Sequence, residues 1–336
     1  MNLFLVTSPL QLLCAIEAKH EYQTTDNILI LREEKANNSI TQTNLLLDKS
    51  EWDHIVYLGR KSKIWEVKKL HHKLKSINPT LKFSSVFYAD YSAWRTNVLM
   101  NNIYTENEVM FDDGVGTIRE FNDKIQPRLI VSRKKASRDI LLKLIGLNPP
   151  REIYPRTTFS FFTFFKLPPC EFPVRENNLT VMKRRLSTDT CFKPDAPIGF
   201  IGQGMVAEKG INLDYYASML EQLITENKRQ MVYFPHRTEA EFVKQRLSVI
   251  KGLTYHESDL PLELEISTKE LKLSRVYGIA STASISLQKL YPFIPIIDLN
   301  VDTKHYMIEE FGNNFQNVAR LLNLESLNFE VKNHDV

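Results

Sequence analysis

Residues 111–117 read FDDGVGT, two adjacent acids followed by two glycines directly after an apolar run. An Asp-Gly turn with a capping or solvated Asp112 accounts for one of those acids. A general base accounts for the other reading. A hydroxyl is a poor nucleophile at neutral pH, and a positioned carboxylate takes its proton as a new bond forms. Three further loops carry polar groups directly after apolar runs: TSPLQ (Thr7 to Gln11), PHR (Pro235 to Arg237) and STAS (Ser281 to Ser284). His236 and Arg237 open a predicted helix, where a phosphate would meet backbone amides, a guanidinium and an imidazole. The alternative is a surface histidine at a strand end. Ser281, Thr282 and Ser284 are N-cap residue types, and the same hydroxyls and amides suit a phosphate. In PLELEI, Glu263 and Glu265 are either surface charges or, for Glu263, a ligand for ribose hydroxyls. Gly202, Gln203 and Gly204 either turn the chain or let its backbone approach a ligand closely.

The elements that must position these groups alternate. NLFLVT, NILIL, HIVYL, FSSVFYA and EVMF read as strands. LQLLCAIEAKH, ITQTNLLLDK, IWEVKKLHHKLKSI and WRTNVLMNNI read as helices. SRKKASRDILLKLIGLNPP reads as a basic amphipathic helix that stops at Asn148-Pro149-Pro150. A second alternating series follows: PIGFIGQ, QMVYFP, LTYHES, SRVYGIA and, as the last strand, FIPIIDLN, separated by helical stretches. The pattern predicts an α/β protein with two Rossmann-like domains of the GT-B type facing a central cleft. The first domain is expected over 1–150 and the second over 196–336. Between them the Pro- and Phe-rich stretch 151–195, including the Phe-rich 159–165, reads as a connection packed at an interface. In open parallel sheets ligands bind beyond the carboxyl ends of the strands, which is where all four loops fall.

Composition bounds the function. The chain has 336 residues, and 43 basic against 40 acidic residues leave a net charge of only +3. That argues against a dedicated nucleic-acid binder. Three scattered cysteines form neither a disulfide framework nor a metal-ligand pattern, which points to a reducing compartment. The apolar N-terminus lacks a basic leader region and reads as strand, turn and helix rather than a signal peptide. GxxxxGK[ST], GxGxxG after the first strand, HExxH, GxSxG and a well-placed Asp-x-Asp are all missing. No metal site and no cofactor is expected.

Taken together in order, TSPLQLLCAIEA, DDG, PHR, PLE and the pair Ser281-Thr282 resemble bacterial sialyltransferases of the lipooligosaccharide, capsule and O-antigen type, relatives of the polysialyltransferases. The resemblance spans residues 1 to about 300. It implies a CMP-sialic acid donor and metal-independent transfer with inversion at the anomeric carbon. It places the general base on Asp113, the histidine acting on the CMP phosphate on His236, and phosphate-binding hydroxyls on Ser281 and Thr282. Arg237 stands where the family has proline, and Thr282 where it has a second serine. Arg237, Ser284, Glu263, Gln203 and Gly202 complete the expected donor side. Ser8, Gln11, Asp112 and Gly114 are expected on the acceptor side of the cleft. The implied acceptor is a terminal galactose-type hydroxyl of a bacterial surface glycan, α2,3-linked in the product, on an acceptor that is lipid-linked in such pathways. The expected location is the cytoplasm; Arg133-Lys134-Lys135 and the Phe-rich segment read first as solvated charge and buried aromatics, with peripheral contact at the inner membrane as the alternative. Three other readings stay open: another nucleotide sugar, a polysialyltransferase, and a non-catalytic nucleotide- or glycan-binding protein. Oligomeric state is left undetermined.

Overall fold

In a computed structural model, all residues are described except 34–36, 61, 187, 208–209, 237, 322–325, 330 and 332–336. The chain forms two compact units, Met1–Val181 and Met182–Val336. In the first, β1 (Asn2–Val6), β2 (Asn27–Arg32), β3 (His54–Leu58), β4 (Lys82–Tyr88), β5 (Tyr104–Phe111), β6 (Phe159–Thr163) and β7 (Val174–Glu176) form one sheet ordered β3-β2-β1-β4-β5-β6-β7. In the second, β8 (Ile198–Ile201), β9 (Met231–Phe234), β10 (Leu253–Tyr255), β11 (Arg275–Gly278), β12 (Ile296–Asn300) and β13 (Ser326–Asn328) are ordered β10-β9-β8-β11-β12-β13. Every pairing of these strands is parallel. Both sheets thus repeat the doubly wound order, with strand order reversing beside β1 in the first and beside β8 in the second.

The strand interiors explain the apolar runs. β1 is buried at every position and β2 at five of six, as expected where helices cover both faces. Leu12, Leu13, Ala15, Ile16 and Ala18 of the helix Pro9–Glu21 are buried. That helix starts on the Ser8 side chain, which accepts from the Gln11 amide at 3.3 Å, with Pro9 in its first turn.

Three expectations are corrected. The stretch 151–195 is not a separate connection. Its Phe-rich part is β6, paired with β5 from Glu108↔Phe159 to Phe111↔Phe162, and Phe159, Phe161, Phe162, Phe164 and Phe165 are all buried in the first domain. A central strand buried on both faces has no alternation to betray it. The domain boundary accordingly falls at 181/182. FIPIIDLN is not the last strand: the helix Glu309–Leu321 and β13 follow it. The basic helix is shorter than its sequence pattern, Ala136–Leu144, and Lys135 directly before it is extended.

Candidate active site

The two adjacent acids have opposite environments. Asp112 is completely buried. It accepts from Thr163 Oγ1 at 2.6 Å and from the Phe164 amide at 2.9 Å, tying the end of β5 to the chain leaving β6. Burial pushes its carboxyl up to about 7, against the pull of those hydrogen bonds. It is a buttress and is closed to ligands, which corrects its placement on the acceptor side. Asp113 is only half-buried. Its Oδ1 accepts from Gln11 Nε2 at 2.7 Å, and its backbone amide donates to Thr117 Oγ1 at 2.8 Å.

Gly114 makes this arrangement possible. Its φ of 63° and ψ of −138° lie in a region that essentially only glycine enters, and the helix Val115–Glu120 begins directly after it. Gly116 adds clearance, since a Cβ there would approach Asp113 Oδ2 to 3.2 Å.

Gln11 is buried, and its Oε1 accepts from the Thr7 amide at 2.7 Å. Thr7 Oγ1 in turn donates to Asp90 Oδ2 at 3.3 Å. Asp90, Thr7, Gln11 and Asp113 therefore form one chain of hydrogen bonds across the carboxyl ends of β4, β1 and β5. Sequence reasoning grouped TSPLQ with DDG but missed Asp90, which carries no motif of its own. Ser8 serves as a helix cap in this cluster.

In the second domain the loops after β8, β9 and β11 carry the expected donor-side groups. His236 is exposed, with Nδ1 2.8 Å from Thr238 Oγ1. The ring packs on Gly204, where a Cβ would fall 2.4 Å from Nδ1 and 2.7 Å from Thr238 Oγ1. No side chain fits at 204 with the imidazole in this position. A cavity of about 260 Å³ opens here, lined by Gln203, Gly204, Met205, Thr238, Glu239 and Phe242 among others. Gln203 is buried, its Nε2 donating to the Ile279 carbonyl, and Gly202 is buried with its amide on the Phe234 carbonyl at 2.8 Å. Arg237 lies outside the described residues.

Ser281 caps the helix Thr282–Leu290, accepting from the Ala283 amide at 3.3 Å, and both Ser281 and Thr282 are half-buried. The loop is held from below by Asp298 of β12, whose Oδ2 accepts from the Ala280 amide at 3.0 Å. Ala280 has φ of 42°, a strained left-handed conformation for a residue with a Cβ. Burial pushes the Asp298 carboxyl up to about 7, opposed by the Ala280 and Ser281 amides. Asp298 was invisible in the sequence because its strand reads as plain apolar core.

Two donor-side expectations are corrected. Ser284 is fully buried, and a Cβ on Gly278 would meet its Oγ at 2.8 Å. Helical periodicity turns it from the cap face into the sheet. Glu263 is buried too and accepts from Ser286 Oγ at 2.7 Å, joining the helix Leu262–Thr268 to Thr282–Leu290. Glu265, read as a surface charge, is fully buried between His256 Nε2 at 2.8 Å and the Leu260 amide at 2.9 Å.

No protein-family model matches the chain, and no curated protein matches it significantly. Solved structures do. The UDP-GlcNAc 2-epimerase of Neisseria meningitidis, solved with UDP-GlcNAc, aligns over 96% of this chain and 91% of its own at 10% identity, with TM-score 0.53. The MnaA–UDP co-structure of S. aureus aligns over 96% and 87% at 13% identity, with TM-score 0.50. The E. coli heptosyltransferase WaaC with ADP aligns over 96% and 99% at 10% identity, with a lower TM-score of 0.42. At these identities the likeness defines a fold: the chain is an α/β protein of the GT-B type, two Rossmann-like domains in tandem.

Proposed function

We propose that the protein is an inverting, metal-independent glycosyltransferase that moves sialic acid from CMP-sialic acid to a galactose-type hydroxyl of a bacterial surface glycan, with an α2,3 linkage. The observation that carries this reading is the division of labour between the two acids. Asp112 is sequestered by Thr163 and Phe164, while Asp113 stands half-buried at a strand end, oriented by Gln11.

In this reading Asp113 takes the proton of the acceptor hydroxyl as its oxygen bonds to the anomeric carbon. The bond from that carbon to the phosphate oxygen breaks, and CMP leaves with the electron pair. His236 donates a proton or hydrogen bond to the departing phosphate, and Ser281 and Thr282 add hydroxyl and amide donors. Sialic acid is carried on a single phosphate, so the leaving group develops less charge than a diphosphate. An imidazole and a few donors are a matched set for it, with no cofactor required. Gln203 and Gly202 shape the floor of the donor loop, and Asp298 positions Ser281. Ser284, Glu263 and Asp112 act inside the fold.

A lipid-linked acceptor also suits the exposed side chains of the segment 129–144 in the N-terminal domain. Leu129, Ile130, Ile140 and Leu144 are exposed among Lys134, Lys135, Arg138 and Lys143. Among the described residues no helix is long and apolar enough to cross a membrane. Contact through this face would be peripheral, apolar side chains entering the headgroup layer beside cations that favour anionic lipid.

The deciding experiment is release of CMP from CMP-sialic acid by the purified protein in EDTA, with and without a galactoside. Acceptor-dependent release is expected. Inhibition by UDP or GDP but not CMP would reassign the donor, product chains of many residues would make it a polymerase, and donor binding without turnover on any galactoside would make it a binding protein.

A further inference from the structure

A second cavity, of about 140 Å³, sits at the carboxyl ends of β1 to β4 and is lined by Thr7, Arg32, Lys63, Asp90, Trp94 and Arg95 among others. Three cationic side chains thus face one carboxylate. Among the described residues neither Arg32 nor Arg95 has a hydrogen-bond or salt-bridge partner, and the Nε of each is buried and unsatisfied, as is the Trp94 indole N–H. A buried guanidinium Nε–H without an acceptor is costly, and the native remedy is an acceptor. Among the described residues, the nearby acids Glu66 and Asp90 do not supply it. Glu66 already accepts from the Gly59 amide at 2.8 Å and from Lys69 at 3.2 Å. Asp90 accepts from Thr7 at 3.3 Å. Burial, and then the Arg32 charge, draws the Arg95 guanidinium below its ordinary value, with Arg60 adding to the effect and Glu66 opposing it.

We propose that this cavity is an anion subsite, in which Arg32, Arg95 and Lys63 bind a carboxylate or phosphate group carried by the acceptor glycan. The cavity has room for such a group with a few waters, each of which occupies about 30 Å³. Guanidinium forks suit both anions because each offers two coplanar acceptors. Location decides whose anion it is. Thr7 lines the cavity, and its amide is held by the same Gln11 that holds Asp113. A glycan anchored by its anionic group would lie beside the residue read as the base. The acceptor part of this inference rests on the function proposed above, and the anion site itself does not.

Two measurements separate them. Calorimetry on the full chain with inorganic phosphate and with glucuronate tests the site. Binding is expected in the wild type, weakened about tenfold or more by Arg95→Gln or Arg32→Gln. Lys63→Gln, at an exposed position that carries no folding risk, should weaken it several-fold. No binding, or equal affinity in all three variants, overturns the site. CMP release with lactose against 6′-phospholactose tests the source of the anion. The phosphorylated acceptor should be preferred in kcat/KM, with the preference erased in Arg95→Gln. Arginine-dependent phosphate binding without such a preference would assign the site to a free anion and overturn the acceptor part. Arginine-dependent binding with no CMP release on any acceptor would sink the proposed function while the anion site stands.

Discussion

Gln11 Nε2 lies 2.7 Å from Asp113 Oδ1, joining residues 102 apart in sequence, one in the first turn of the helix Pro9–Glu21 that follows β1 and the other in the loop after β5. The amide's other end is fixed on the Thr7 backbone. Gln11 therefore can present only its N–H donor to Asp113, which sets the carboxylate's orientation.

Asp113→Ala should lower acceptor-dependent CMP release by about 10²- to 10⁴-fold, the range of a lost general base. The side chain is half-buried, so calorimetric CMP binding and the melting temperature should stay near wild type. A folded Asp113→Ala protein that transfers at the wild-type rate removes the assignment.

Gln11→Glu separates orientation from mere packing. It keeps an acceptor for the Thr7 amide but puts a like charge beside Asp113. The acid limb of the kcat/KM profile should move to higher pH, because a like charge beside a carboxylate disfavours its charged form. An unshifted profile would mean that Asp113 does not titrate in that limb.

Gly204→Ala tests the donor side. The added Cβ cannot share space with His236 Nδ1, so the imidazole must move. Turnover should fall toward that of His236→Ala, which is expected at about 10²-fold below wild type. Near-normal turnover in both variants would take His236 out of the chemistry.

The two buried aspartates predict a pH dependence of stability. Folded Asp112 and Asp298 hold protons up to about pH 7, whereas the unfolded chain releases them near the ordinary value of 3.8. The native state then binds more protons across that interval, so stability falls as pH rises from about 4 to about 7. Urea unfolding at pH 5 and pH 8 should show the wild type less stable at the higher pH. Asp112→Asn should flatten part of that difference. It should also destabilise by about 1–3 kcal/mol, because its amide would turn a donor toward Thr163 or Phe164.

The exposed face at 129–144 predicts co-sedimentation with vesicles containing anionic lipid, weakened by salt and by Ile140→Glu with Leu144→Glu. Equal recovery with neutral vesicles and with the double variant would leave that face as plain solvated surface.

The sequence by itself determined the tandem α/β plan. Alternating apolar runs and amphipathic stretches mark parallel strands covered by helices, and each loop singled out as TSPLQ, DDG, PHR or STAS does follow a strand. It also identified the residue types able to bear charge at those strand ends. Only the tertiary structure decided which of them faces outward. Asp112 and Asp113 are neighbours of one type, and one residue of register along β5 puts the first under Phe164 and leaves the second on Gln11. The same logic turned Ser284 inward and Ser281 outward within one helical turn. Asp298, Asp90 and the Arg32–Arg95 pair had no local signature at all. Their roles depend on hydrogen bonds and repulsions between chain segments far apart in sequence, which no periodicity or motif encodes.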